Sequence, residues 1–117
     1  MYNKPIWKFN TQNFTIQLEF EEELIAPDWF HSEEEEKALL EKIYRGELLY
    51  FCAKVSVLWW PKDKKAQEIA SQYLGCCCYQ TPKDFIEGGY FRDMVREAIR
   101  EARNHFKELS IPKLRAA

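Results

Sequence analysis

Wound at about 100° per residue, the run from Tyr90 to Leu109 puts Phe91, Met94, Val95, Ala98, Ile99, Ala102, Phe106 and Leu109 on one face. Arg92, Arg96, Arg100, Arg103 and Lys107 line one border of that face, and Asp93, Glu97, Glu101 and Glu108 line the other. This is a long amphipathic helix with an apolar stripe to dock and two flanks of opposite charge. Period two replaces this period earlier in the chain. Phe14, Ile16, Leu18 and Phe20 alternate with Thr15, Gln17 and Glu19, as in a strand with one wet face. Ile6 to Phe9 is a shorter strand before it, joined by the polar turn Asn10-Thr11-Gln12-Asn13. From Leu49 to Trp60, Phe51, Ala53, Val55, Val57 and Trp59 share one face, while Tyr50, Cys52, Lys54, Ser56 and Leu58 share the other. The charged turn at Pro61 to Lys65 returns the chain into Glu68 to Tyr79, where Gly75 marks a bulge or a close backbone approach.

Helix punctuation is equally legible. Ser32 and Glu35 have capping-box spacing, Glu33 and Glu34 suit the positive end of a helix dipole, and Gly46 terminates the helix. Its apolar face is narrow: Leu39, Leu40 and Ile43. Thr81-Pro82-Lys83-Asp84 reads as an N-cap, a proline at the first helical position and an acidic first turn. A short helix through Phe85 and Ile86 follows, closed by Gly88-Gly89. The order strand, strand, helix, strand, strand, helix with short connections predicts an α+β domain over 1–111 and a loose tail over 112–117. The expected architecture is an antiparallel sheet of three to four strands. The long C-terminal helix packs on one face through Phe91, Val95, Ile99, Ala102 and Phe106, and a shorter helix is inserted mid-chain.

Composition changes the picture in two places. The 117 residues suffice for one real core, and 15% of them are aromatic, more than a small core readily hides, so some rings are expected at the surface. A net charge of −2 lacks the basic field of a nonspecific nucleic-acid binder, so no direct nucleic-acid binding is expected. Neither a signal peptide nor a bilayer-length apolar run is evident, so a cytoplasmic protein with reduced thiols and no membrane partner is expected.

Catalytic chemistry finds little support. Cys76-Cys77-Cys78 lacks the separated pairs of a zinc site, and in a strand Cys77 points away from its two neighbours. The four cysteines read as small buried hydrophobes, with no metal and no cofactor expected. His105 lies one turn after Glu101, a possible partner, and a Cys–His pair with the cysteine run is formally available but carries no local signature. There is no phosphate loop, paired-histidine helix or nucleophile elbow. No catalytic residue is assigned, and an enzyme is not the expected class.

Interaction chemistry has more material. Asp28, Trp29, Phe30 and His31 form an aromatic connection flanked by Glu21 to Glu23 and by Glu33 to Glu36. An aromatic anchor in an acidic rim suits a basic protein surface, so Asp28, Trp29, Phe30, His31, Glu33 and Glu34 are the expected partner-binding residues. The bland alternative tucks Trp29 and Phe30 under the sheet and leaves the glutamates solvating a helix start. Arg92, Arg96, Arg100 and Arg103 form the second candidate surface.

Tyr73-Leu74-Gly75-Cys76, followed by the run from Gly89 through Tyr90-Phe91-Arg92-Asp93-Met94-Val95-Arg96 to Ile99, resembles a pattern in small uncharacterised proteins of bacterial phages and other mobile elements. With Trp7 and the strand from Phe14 to Phe20 the resemblance spans most of the chain. It implies a setting without an established activity: compact acidic proteins of that kind often bind and block a host defence protein. The expectation is an anti-CRISPR-like inhibitor in the bacterial cytoplasm that occludes a host protein, with an acidic cluster able to imitate a nucleic-acid backbone. The alternatives are a small thiol- or metal-dependent enzyme and a self-associating structural protein.

Overall fold

The computed structural model describes residues 4–25, 32–62 and 64–108, so the expected tail lies outside the described residues. It is an α+β fold. A four-stranded antiparallel sheet in the order β1-β2-β3-β4 is formed by β1 (Trp7–Asn10), β2 (Phe14–Glu21), β3 (Leu49–Trp59) and β4 (Gln67–Tyr79). Helix α1 (Glu33–Tyr44) leaves the sheet between β2 and β3, while α2 (Pro82–Glu87) and α3 (Tyr90–Glu108) follow β4.

Alternation fixes the register. Trp7 pairs with Leu18, Leu18 with Val55 and Phe20 with Ala53, so every apolar row points to the same side. Phe51, Ala53, Val55 and Val57 are buried on that side together with Leu18 and Phe20. Helix α3 covers them from above β3 and β4, and its buried line runs Phe91, Met94, Ala98, Ala102 and Phe106. Phe91, Ala102 and Phe106 pack as expected, while Val95 packs on the core only half-buried and Ile99 is half-buried at the border of the stripe. The reason is lateral: a helix about 10 Å across spans two strands spaced about 4.8 Å apart, and α3 has settled on the β3–β4 half.

The start of α2 is set locally. The Thr81 hydroxyl accepts the Asp84 N–H at 3.1 Å, Pro82 occupies the first turn, and Phe85 drops fully buried into the core. There its ring meets Tyr79 at 5.2 Å, Phe51 at 5.6 Å and Phe20 at 5.7 Å, all edge-on.

The expected irregularity of β4 lies where Gly75 sits. Two residues, Gly75 and Cys76, oppose Cys52 of β3. The positive φ of 55° falls on Cys76 rather than on the glycine. Gly75 answers the other need, close approach: a Cβ there would stand 3.0 Å from the Glu23 carboxylate. A second irregularity, where Ile69 is the extra residue between Val57–Ala70 and Leu58–Glu68, has no glycine to announce it.

Candidate protein-interaction site

Helix α1 is built as the sequence suggests at both ends. The Ser32 hydroxyl accepts the Glu35 N–H at 3.2 Å, four glutamates occupy the first turn, and Gly46 follows the helix at a φ of 78°. Its relation to the rest of the molecule is unusual. None of its residues is buried, and among the described residues it makes no extensive contact with sheet or helices. Leu39 and Ile43 are half-buried, Leu40 is exposed, and Tyr44, four residues on from Leu40, is 92% exposed. Leu24 and Ile25, on the chain leading out of β2, are exposed as well. A helix of 12 residues is marginal in water by itself. Its exposed Leu40 and Tyr44 are accessible to a further surface.

Glu33 and Glu34 lie exposed in the first turn of α1, and the expected anchors Asp28, Trp29, Phe30 and His31 lie outside the described residues. Arg92, Arg96, Arg100 and Arg103 are all exposed along the outer border of α3, where Arg100 pairs with Glu97 at 2.6 Å. The two sets of charge sit on elements that do not pack together. Among the described residues, the exposed rings expected from composition are Phe9, Tyr44, Trp60, Tyr73 and Tyr90. Sequence reasoning missed Tyr44, Leu24 and Ile25, although the spacing of Leu40 and Tyr44 is the (i, i+4) signal of a shared helix face.

Glu23 has a role that the reading of Glu21 to Glu23 as a charge run did not anticipate. Its carboxylate accepts the Cys76 N–H at 2.7 Å and the Ile25 N–H at 3.0 Å. These bonds, Cys76 first, hold its carboxyl below the usual carboxylate range. One side chain thus ties the bulge of β4 to the start of the connection towards α1. Tyr50 adds to the same junction by donating its hydroxyl to the Ile25 carbonyl at 2.6 Å.

The thiols are not arranged for chemistry. All four are free. Cys77 is buried in the core opposite Phe51, its thiol donating to the Leu74 carbonyl at 3.2 Å, and burial pushes it up to about 11. Burial also raises Cys52, with the Glu23 and Glu21 charges adding to it, and raises Cys78. A thiol held protonated at neutral pH is a poor nucleophile. Among the described residues, no three His, Cys, Asp or Glu side chains lie close enough to hold a metal ion. His105 does not meet the cysteine run. It lines an open groove of about 410 Å³ with Ile69, Gln72, Glu97, Arg100, Glu101 and Asn104, where Glu101 accepts the Gln72 amide at 3.0 Å.

The face of the sheet opposite α3 is polar and internally satisfied at its rim. Lys54 reaches Glu68 at 2.8 Å and lies over the Tyr73 ring. The Trp60 indole donates to Thr15, whose hydroxyl donates to Asn10, both at 2.8 Å. Ser56, at its centre, is fully buried with no partner for its hydroxyl. No described helix is long and apolar enough to cross a membrane. Comparison with protein-family models, curated proteins and solved structures gives no match for the chain.

Proposed function

We propose that this protein is a binding module that acts by occlusion, with α1 as the element presented to its partner. The observation that carries the reading is the α1 surface: an acidic first turn, an exposed Leu40–Tyr44 pair, and no buried residue. A helix laid into a groove through apolar anchors at (i, i+4) is a recurring mode of recognition, and the four glutamates select a groove with a basic rim. In the setting that the resemblance to phage and mobile-element proteins implies, the partner is a host protein, most naturally a defence protein with a basic nucleic-acid groove. The protein then works as an anti-CRISPR-like inhibitor in the bacterial cytoplasm.

The test is capture from bacterial lysate by the parent and by Glu33→Lys/Glu34→Lys, followed by association kinetics on the captured protein at two salt concentrations. The charge reversal slows association and flattens its salt dependence while leaving the melting temperature in place. Identical rates and identical salt dependence for parent and variant exclude the acidic turn from the interface.

A further inference from the structure

The outer edge of β4 is open. β4 is the last strand of the sheet, and among the described residues no backbone group pairs with its far side. Sheets blunt such an edge with short strands, lysines, prolines or bulges, because its unpaired N–H and C=O groups accept another strand. The opposite edge follows this rule: β1 has four residues, one of them Lys8. β4 has 13, no proline and a single charge, Glu68, which Lys54 takes up at 2.8 Å. Its two bulges, at Ile69 and at Gly75–Cys76, enclose a regular stretch from Ala70 to Leu74 that pairs residue by residue with Val57 to Ala53. That stretch is an open edge of about 17 Å at about 3.3 Å per residue.

The groove beside His105 lies between β4 and one flank of α3, and because β4 is the last strand it opens at this same edge. Its α3 wall is mixed in sign: Glu97 and Glu101 stand with Arg100 and His105, and Arg100 holds Glu97 at 2.6 Å. Gln72, the middle of the regular stretch, donates to Glu101 at 3.0 Å, so Glu101 is level with the middle of the edge. We propose that two copies of this chain join β4 edge to edge, antiparallel about a twofold axis at Gln72, so that their four-stranded sheets become one. The bulges set the register, since the twofold lays the regular stretch on itself only when Gln72 faces Gln72. Ala70 then faces Leu74 of the other copy on the α3 side of the sheet, and Ser71 faces Tyr73 on the opposite side, small against large in both pairs. Tyr73, 57% exposed, gains a neighbour. The α3 flanks meet across the same axis. With Glu101 beside the axis, Arg100 of one copy comes level with Glu101 of the other, and Glu97, one turn earlier, with His105, one turn later. A twofold interface needs a patch that complements itself, and a wall carrying both carboxylates and basic groups does so where a wall of one sign repels its copy. That self-complementarity favours a second copy over an unrelated strand at this edge. The pairing uses no residue of α1, so recognition of a different protein stays there and the two proposals fail separately.

The experiment is sedimentation equilibrium over a wide concentration range on the parent, Arg100→Glu and Glu97→Lys/Glu101→Lys, joined to amide hydrogen exchange of the parent at the two ends of that range. All three positions are exposed, so each variant keeps the parent's circular dichroism spectrum. The parent approaches twice the monomer mass, and each variant alone stays at the monomer mass because like charges then face each other across the axis. Mixed one to one, the variants recover the doubled mass, with carboxylates of one opposite lysines of the other. In the parent, amides within Ala70 to Leu74 exchange faster on dilution, while those of β2, paired on both sides, keep their rate. A parent that stays monomeric overturns the proposal, and so does a mixture of folded variants that stays monomeric. A dimer whose dilution leaves exchange within Ala70 to Leu74 unchanged overturns it as well, because its contact lies elsewhere. That last readout uses the parent alone and decides the matter even where a variant fails to fold.

Discussion

Replacing Phe85 with Ala removes the ring that closes one end of the core, and the structure sets the size of the effect. Phe85 is fully buried, and four aromatic neighbours surround it: Phe20, Phe51, Tyr79 and Phe91, at centroid distances from 5.2 to 6.3 Å. The loss combines transfer of the ring to water with the cavity left behind. That cavity has little means of collapse, because its walls are rings held by β2, β3, β4 and α3. Phe→Ala at such a site costs about 3–5 kcal/mol. Part of this is edge-to-face geometry, about 0.5–1.5 kcal/mol per aromatic pair beyond area alone. Phe85→Leu keeps most of the apolar volume and loses mainly that geometry, so it falls well short of the alanine loss. Urea denaturation followed by tryptophan fluorescence reads both variants, and thermal melting checks them. At roughly 4 °C per kcal/mol, alanine lowers the melting temperature by about 12–20 °C. An alanine variant melting within about 3 °C of the parent refutes the assignment of α2 as the plug of the core.

Three further predictions follow from the geometry. Glu23 has a depressed folded carboxyl, so its contribution is complete above the ordinary carboxylate range and is lost as pH falls through the folded value. The melting-temperature gap between the parent and Glu23→Gln therefore closes in acid, and a gap independent of pH removes the link between Glu23 and the Cys76 bulge. Ser56→Ala deletes a buried hydroxyl with no partner, relieving a burial cost of about 1–3 kcal/mol against the loss of one atom's packing, so urea melts show a neutral or stabilised protein; a loss beyond about 1 kcal/mol means the hydroxyl is bonded. Under native conditions iodoacetamide near pH 8 spares Cys77, buried and pushed up to about 11, while peptide mass mapping after unfolding finds all four cysteines modified; rapid native modification of Cys77 contradicts its placement.

Most of the fold was legible because local rules and packing agree in it. Alternation identified the core faces of β2 and β3 because one side meets a helix and the other carries mainly polar side chains. The caps at Ser32 and Thr81 are local hydrogen bonds, which sequence spacing reports directly. The rotation of α3 was not legible. A stripe this wide permits several docking angles, and the choice of the β3–β4 half put Met94 and Ala98 at its centre instead of Val95 and Ile99. At the bulge, Gly75 was informative about approach and silent about conformation, since the left-handed residue is Cys76, whose N–H is held by Glu23 from 53 positions away. The candidate site was half legible. The acidic turn and the arginine border were readable as charge, but an apolar helix face looks the same in sequence whether its own sheet covers it or nothing does. Only the placement of α1 separates those cases.

The central claim is that the α1 surface, and not the sheet or the open groove beside His105, carries recognition. The direct measurement is calorimetric titration of the captured host protein with the parent and with Leu40→Ala/Tyr44→Ala, each checked for its melting temperature. Because α1 buries none of its residues, the substitutions leave stability within about 0.5 kcal/mol. As paired anchors at the centre of an interface they cost about 2 kcal/mol or more of binding, a weakening of about thirtyfold. Equal affinity for the two proteins at equal stability contradicts the account.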